Sequence, residues 1–420
     1  MAAPDVKAPT ISIPHPSSSV DAEHGTWDIN TSALVTSNEP EKIYREYDYL
    51  RSHCPVAHVD KHDGYWVLTR YNDIKEVSSN NAKYISYICA VVPADPRGIR
   101  RPPLKFDGEN HKPYRTAIDR TLKPARLKHL ESIMRSHCER ELQILIDRGH
   151  GDIYEEFGAT WTSLIEREWL NLDVHDGELL VEGFGKFVFA WRMGDWGAVK
   201  RWSDEWYRIA RRVVDARKEK LLDPEIDPAS SLLLERDKEG NGLEEEHIIG
   251  CIRQIVIIAM VAPTIMLTAI TKHLAEDKVL QNKLRDNRSL LPAAIEEFIR
   301  LHVPYRGFSR TAVKEEEISG TTVPPEEPIT VVYSAANRDP EQFPEPDKFI
   351  LNRENISTHL GFGRGIHRCA GTSIARMIIR VYLETILDRC RDWDVDGEVV
   401  YAKLPEIGPT SCPIQFHKVE

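Results

Sequence analysis

Apolar and polar positions along the 420-residue chain change rhythm several times, and each change marks an element. The segment EPEKIYREYDYLRSHC, 39–54, has helical spacing. VAHVDKHDGYWVLTRY, 56–71, alternates and turns at His62-Asp63-Gly64, as a hairpin does. From Asn110 to about Asn282 helical patterns dominate, and Gly149 reads as the C-cap of a long one. Strand character returns over 307–337, where Gly320 and the Pro324-Pro325 pair mark loops between short extended runs. A last helix, TSIARMIIRVYLETIL, follows Cys369, and the tail CPIQFHKVE is strand-like. The most apolar run, Ile255 to Ile270, has sixteen residues and contains Pro263. A bilayer span needs ~20 residues, so this run reads as a buried core helix. The pattern predicts a mainly α protein with small β-sheets, one large domain over 27–420, after a Pro- and Ser-rich disordered lead-in over 1–26.

Composition narrows the classes. Hydrophobic content of 41% supplies a sizeable core, and a net charge of -11 argues against nucleic acid as the main partner. The seven cysteines form no C-x-x-C pair, which fits reduced thiols in a reducing compartment. The lead-in lacks the apolar core of a secretion signal. A soluble, cytoplasmic protein is expected.

Chemistry concentrates in HLGFGRGIHRCAG, 359–371. A thiolate ligand needs a lowered pKa, and Gly361, Gly363 and Gly365 permit close approach of backbone amides to the Cys369 sulfur. The helix that follows points its positive end at the same atom. Gly371 leaves room for a flat object, and Phe362 offers an aromatic neighbour. Zinc fits poorly, because His367 and Cys369 supply only two ligands. A packing cysteine is the plain alternative, but F-G-x-G-x-H-x-C-x-G is too specific for it.

This loop resembles the haem-binding loop of the cytochrome P450 superfamily, the haem-thiolate monooxygenases. The resemblance implies haem b, with Cys369 as the iron ligand and Gly363, His367, Arg368 and Gly371 around it. Three upstream segments agree with it. Glu297-Phe-Ile-Arg300 matches the family's E-x-x-R, whereas Glu205-Trp-Tyr-Arg208 shares only the spacing of an exposed helix pair. Arg353 falls where the family closes a buried triad with Glu297 and Arg300. Arg310 matches the arginine that reaches a haem propionate. His111 and Arg115, one helical turn apart, match the helix that crosses the haem edge.

The resemblance breaks in the long helix. The family's oxygen-activating signature places an acid before a threonine, and here Ala262-Pro263-Thr264 stands, with Val261 at the small-residue position. Pro263 should kink the helix by removing its bond to Ala259. Thr264 either serves the oxygen site or bonds its own backbone. No acid lies between Glu246 and Glu276, so ordinary proton delivery from this helix is missing. That leaves ordered water, peroxide as oxidant, or a coupling, cyclisation or rearrangement.

The family positions also imply a substrate pocket. Phe187, Phe189 and Trp191 either face a bulky, partly aromatic guest or pack a lid onto the core. Cys89, Val91, Val261, Tyr305, Phe308 and Ile407 are the other wall positions. Some fifty residues follow Cys369, too few for a fused reductase, so a separate ferredoxin is the expected electron donor. Arg364, Arg368, Arg376 and Arg380 are its expected docking patch. A small-molecule oxidase is the leading reading, a peroxide-driven or non-hydroxylating enzyme the second, and a haem sensor without turnover the last.

Overall fold

The computed structural model describes residues 18–37, 39–93, 100–402 and 405–418. It is 55% helical, with one seven-stranded sheet and three smaller ones among the described residues. In the large sheet the strands run in the order Val20–Asp21, Thr26–Trp27, Val56–Val59, Tyr65–Leu68, Pro328–Val331, Phe308–Ala312, Tyr84–Ile85. The hairpin at 56–68 forms as the alternation predicts, pairing His58 with Trp66, and His62, Asp63 and Gly64 all turn through positive φ. The folded chain begins earlier than Trp27. Val20–Asp21 pairs antiparallel with Thr26–Trp27, and Val20 is buried, so residues 18–26 are ordered. Residues 1–17 of the expected lead-in lie outside the described residues.

The helical body is organised by one element, Glu245–Glu276. At 32 residues it is long and apolar enough to cross a membrane by composition, yet 67% of its most apolar window is buried inside the protein. It is the axis of the main core, with Trp161, Trp206 and Trp393 wholly excluded from solvent around it. Two of the indoles find backbone acceptors: Trp161 donates to the Met134 carbonyl at 2.9 Å and Trp393 to that of Thr271 at 2.9 Å. The helix Pro124–Arg148 packs against the last helix, Thr372–Arg389, and ends at Gly149 (φ +85°), as its sequence predicts.

The segment leading to Cys369 has almost no regular structure, and buried charge holds it. Glu297 accepts from Arg300 Nε at 2.8 Å and Nη2 at 2.7 Å, and from Arg353 Nε at 3.1 Å. Glu297 and Arg300 are fully buried. Arg300 also donates to the carbonyls of Asn337 and Pro346 at 2.7 Å, and Arg353 to those of Pro344, Glu345 and Lys348. Burial alone would raise the Glu297 carboxyl. Arg300, the Ile350 N–H and Arg353 overcome it and hold the group below its ordinary value. The same spacing at Glu205 and Arg208 gives an outward-facing pair, with 60% of the Arg208 side chain exposed.

Candidate active site

The cysteine loop is shaped by close backbone approach. Gly363 and Gly365 take positive φ (+64° and +75°), and a Cβ at Gly365 would sit 2.3 Å from the Ser78 carbonyl. One at Gly361 would meet Ile299 at 2.6 Å. These glycines therefore seat the loop on its neighbours, a different use from the expected approach to sulfur. Gly371 does adjoin the sulfur, its Cβ position lying 3.6 Å from Cys369 Sγ. Cys369 N donates to the Phe362 carbonyl at 2.9 Å. Phe362 is half-buried, with the Arg376 guanidinium 4.8 Å from its ring centre.

All seven cysteines are free, and only Cys369 is exposed. Its surface lies in a recess, because desolvation still dominates its acidity. Burial pushes the thiol above its ordinary value, and the Gly371 N–H with Arg115, Arg368 and Arg376 pulls back only part of that. A cation bound to the sulfur would favour its ionised form.

One edge of the recess gathers the expected cationic residues from three segments. The His111 and His367 rings meet edge-on, centroids 4.8 Å apart. His367 Nε2 is 3.0 Å from Asp107 Oδ1, and Asp107 also accepts the N–H groups of Ser86 and Tyr87. Arg115 is anchored to Asp119 at 2.8 Å and donates to the loop carbonyls of Ile366 and Arg368, so much of its fork holds the loop. The Arg368 side chain is exposed. His111 and Arg310 are 5% and 1% exposed, yet among the described residues His111 Nε2 and Arg310 Nε have no hydrogen-bond partner. Burial, with the nearby His367, Arg115 and Arg310, pushes the His111 imidazole down to about 4. Orphaned buried donors beside a guanidinium are suited to carboxylates arriving on a ligand. The residues fit a haem, with Cys369 for the iron and His111, Arg310 and Arg115 for the propionates.

A cavity of about 560 Å³ opens beside the long helix. Val91, Phe187, Trp191, Val261, Tyr305 and Phe308 line it, as the family positions imply. Three other expected wall residues do not. Phe189 lies two residues beyond Phe187, on the opposite helix face, and is 53% exposed. Cys89 and Ile407 are packed into a separate core with Trp27 and Tyr47, and Ile407 borders a second cavity instead. Residues without a motif signal also contribute: Tyr154, Trp196, Gln254, Ile257 and Glu406.

The long helix turns a different face to this cavity than Thr264 required. Gln254, Ile257, Ile258, Val261 and Ile265 form the lining stripe. Thr264 is wholly buried off it, donating to the Met260 carbonyl at 2.7 Å and lying 3.0 Å from Thr162 Oγ1. Its methyl fills the space left by Gly158, where a Cβ would come within 2.8 Å. Thr264 therefore packs between two helices and is not part of the lining of this cavity. Ala262 and Pro263 are half-buried and, with Ala259, make an adjoining strip of small side chains. The helix carries Pro263 as one continuous α-helix.

A mainly helical fold that presents a recessed cysteine, an edge of unpaired buried donors and an apolar cavity defines a porphyrin-iron enzyme with a sulfur ligand. Comparison with known proteins agrees. The model of the family described as Cytochrome P450 matches residues 186–400. Pulcherriminic acid synthase of Bacillus subtilis (strain 168) is 26% identical over 405 residues, 92% of this chain and 98% of that protein. Cyclomarin C epoxidase of Salinispora arenicola (strain CNS-205) is 26% identical over 406 residues, 92% and 99% of the two chains. The solved structure of a cytochrome P450 from Chondromyces apiculatus superposes with a TM-score of 0.80 at 21% identity, covering 94% of this chain and 99% of that one. The chain belongs to the cytochrome P450 family; it is a haem b monooxygenase.

Proposed function

We propose that the protein oxidises a bulky, partly aromatic organic molecule of natural-product type, using dioxygen and electrons from a separate ferredoxin. The carrying observation is the 560 Å³ cavity, walled by Phe187, Trp191, Tyr305 and Phe308 against the long helix. The printed names of the two relatives, a pulcherriminic acid synthase and a cyclomarin C epoxidase, support the substrate class. Haem b, when bound, supplies the iron chemistry that activates oxygen. The protein's part is to hold the propionates with His111 and Arg310, exclude water with the apolar stripe and orient the guest on the aromatic wall. Purified protein with reductant and carbon monoxide should show the absorption peculiar to sulfur-ligated iron, and Cys369→Ser should abolish it. Product formed with a surrogate ferredoxin system, and not with peroxide alone, supports the dioxygen route.

A peroxide-driven or non-hydroxylating reaction is the second reading. It is favoured by the absence of any acid between Glu246 and Glu276 and by the turning of Thr264 away from the cavity. Product from peroxide alone would select it. A sensor without turnover has no use for so large an apolar cavity.

The docking surface we propose for the electron donor is smaller than the four-arginine patch. Arg376 is held by Glu296 at 2.7 Å and Arg380 by Glu131 at 2.7 Å. Arg364 and Arg368 are exposed beside Cys369, and among the described residues neither has an ion-pair partner. Arg364→Glu should slow reduction by an acidic ferredoxin and flatten its salt dependence.

A further inference from the structure

We propose that Glu406 is the specificity-determining group of the cavity and selects molecules that present an amide edge, an N–H donor beside a carbonyl acceptor. The inference rests on the reading that this cavity holds the substrate. Glu406 is the one carboxylate among the described lining residues. It is fixed by backbone pairing: Tyr305 bridges to Glu406, Arg306 N donates to the Pro405 carbonyl at 3.0 Å, and Ile407 N donates to that of Pro304 at 2.9 Å. The wall position is therefore tied to 304–306 by an isolated bridge and its flanking backbone bonds.

A carboxyl so placed costs stability unless something bonds it. Among the described residues no side chain does. Arg306 is buried behind it but gives its Nε to the Glu406 carbonyl at 2.8 Å, while Nη1 and Nη2 have no partner among the described residues. A small chamber lined by Arg306, Trp27, Tyr47 and Tyr65 adjoins there. Arg306 thus acts on the carboxyl only through space. Burial outweighs both the bond from the residue's own backbone N–H and the attraction of Arg306 and pushes Glu406 up to about 7, so the neutral acid is well populated near neutral pH.

A neutral carboxyl offers an O–H donor and a C=O acceptor side by side, and the complement is an acceptor beside a donor. An amide or lactam edge has that arrangement. A site built to hydrogen-bond a group rejects the analogue that lacks it, because its own polar atoms are then left unpaired.

The test uses three probes of one skeleton: 6-phenylpiperidin-2-one, its N-methyl derivative and the lactone 6-phenyloxan-2-one. Binding to the haem-loaded protein is followed by the Soret shift and, independently of the haem, by quenching of Trp191 and Trp196, which line the cavity. The native protein should hold the lactam at least about tenfold tighter than the other two probes. Glu406→Gln, whose side chain keeps a donor and an acceptor, should retain the preference within about threefold, and Glu406→Leu should erase it. Equal binding of all three probes, no lactam binding, or a preference that survives Glu406→Leu overturns the proposal. The carbon monoxide spectrum of each sample tests the haem-thiolate reading separately, so the two failures are distinguishable.

Discussion

The hydroxyl of Thr264 lies 3.0 Å from that of Thr162, and both side chains are shut away from solvent between the long helix and the helix Ala159–Trp169. A threonine engaged there ties two helices together. It does not reach the cavity surface.

Thr264→Val keeps the shape and removes the bond, leaving Thr162 to a long contact with the Ala159 carbonyl at 3.5 Å. The expected loss is about 1–2 kcal/mol of stability, read as a lower melting temperature. Product formed per electron consumed should stay within about twofold of the native value. A tenfold fall in that yield with unchanged melting would return the residue to the chemistry.

The triad makes a sharper stability prediction. Glu297→Ala leaves Arg300 and Arg353 as buried cations without their shared partner, and breaking a buried pair of this kind costs about 3–5 kcal/mol. The same deletion at Glu205 removes an outward-facing pair with Arg208 and its contact to Arg212, and should cost below about 1 kcal/mol. Chemical denaturation of both variants measures the contrast. Equal losses would mean that Glu297 carries no special role in holding the cysteine segment.

Retention of the cofactor should depend on the orphaned donors. His111→Phe and Arg310→Met each remove a buried donor whose free atom faces no protein acceptor. Each should speed transfer of haem to an excess of apomyoglobin by roughly tenfold, with little change in helical content. Asp107→Asn should do so more mildly, through loss of the negative charge on the acceptor that positions His367. Unaltered transfer in both single variants would count against a propionate site at this edge.

What could be read from the sequence, and what could not, divides by mechanism. The cysteine loop, the E-x-x-R and the His111–Arg115 pair are local patterns with fixed spacing; Glu297 does meet Arg300 and Arg353, and His111 meets His367 of the loop. Helix phase was the weak point. One residue turns a helical side chain by about 100°, so Thr264 and Ile265 differ in whether they meet the cavity, and Phe187 differs from Phe189. Cys89 and Ile407 were placed by position along the chain, but packing with Trp27 and Tyr47 claimed them. Glu406 left no signal, because one acid in a coil acquires its surroundings only when 405–407 pairs with 304–306.

That pairing also gives Glu406 a measurable acid–base signature. Its folded value of about 7 stands above the 4.5 expected unfolded, so folding takes up a proton between these pH values. The stabilisation linked to the protonated form is fully present below pH 4.5 and is lost as pH rises through about 7. The charged groups acting on the carboxyl are few: Arg306 favours ionisation, while Tyr305 stays neutral because burial drives its phenol far upward. Glu406→Gln removes this titration and leaves every other one in place. The melting temperature of the native protein should therefore fall relative to Glu406→Gln between pH 5 and pH 8, by the equivalent of roughly 3 kcal/mol at most. Parallel profiles across that range would mean that the carboxyl ionises as it does in water, and the neutral donor–acceptor edge it offers a guest would go with it.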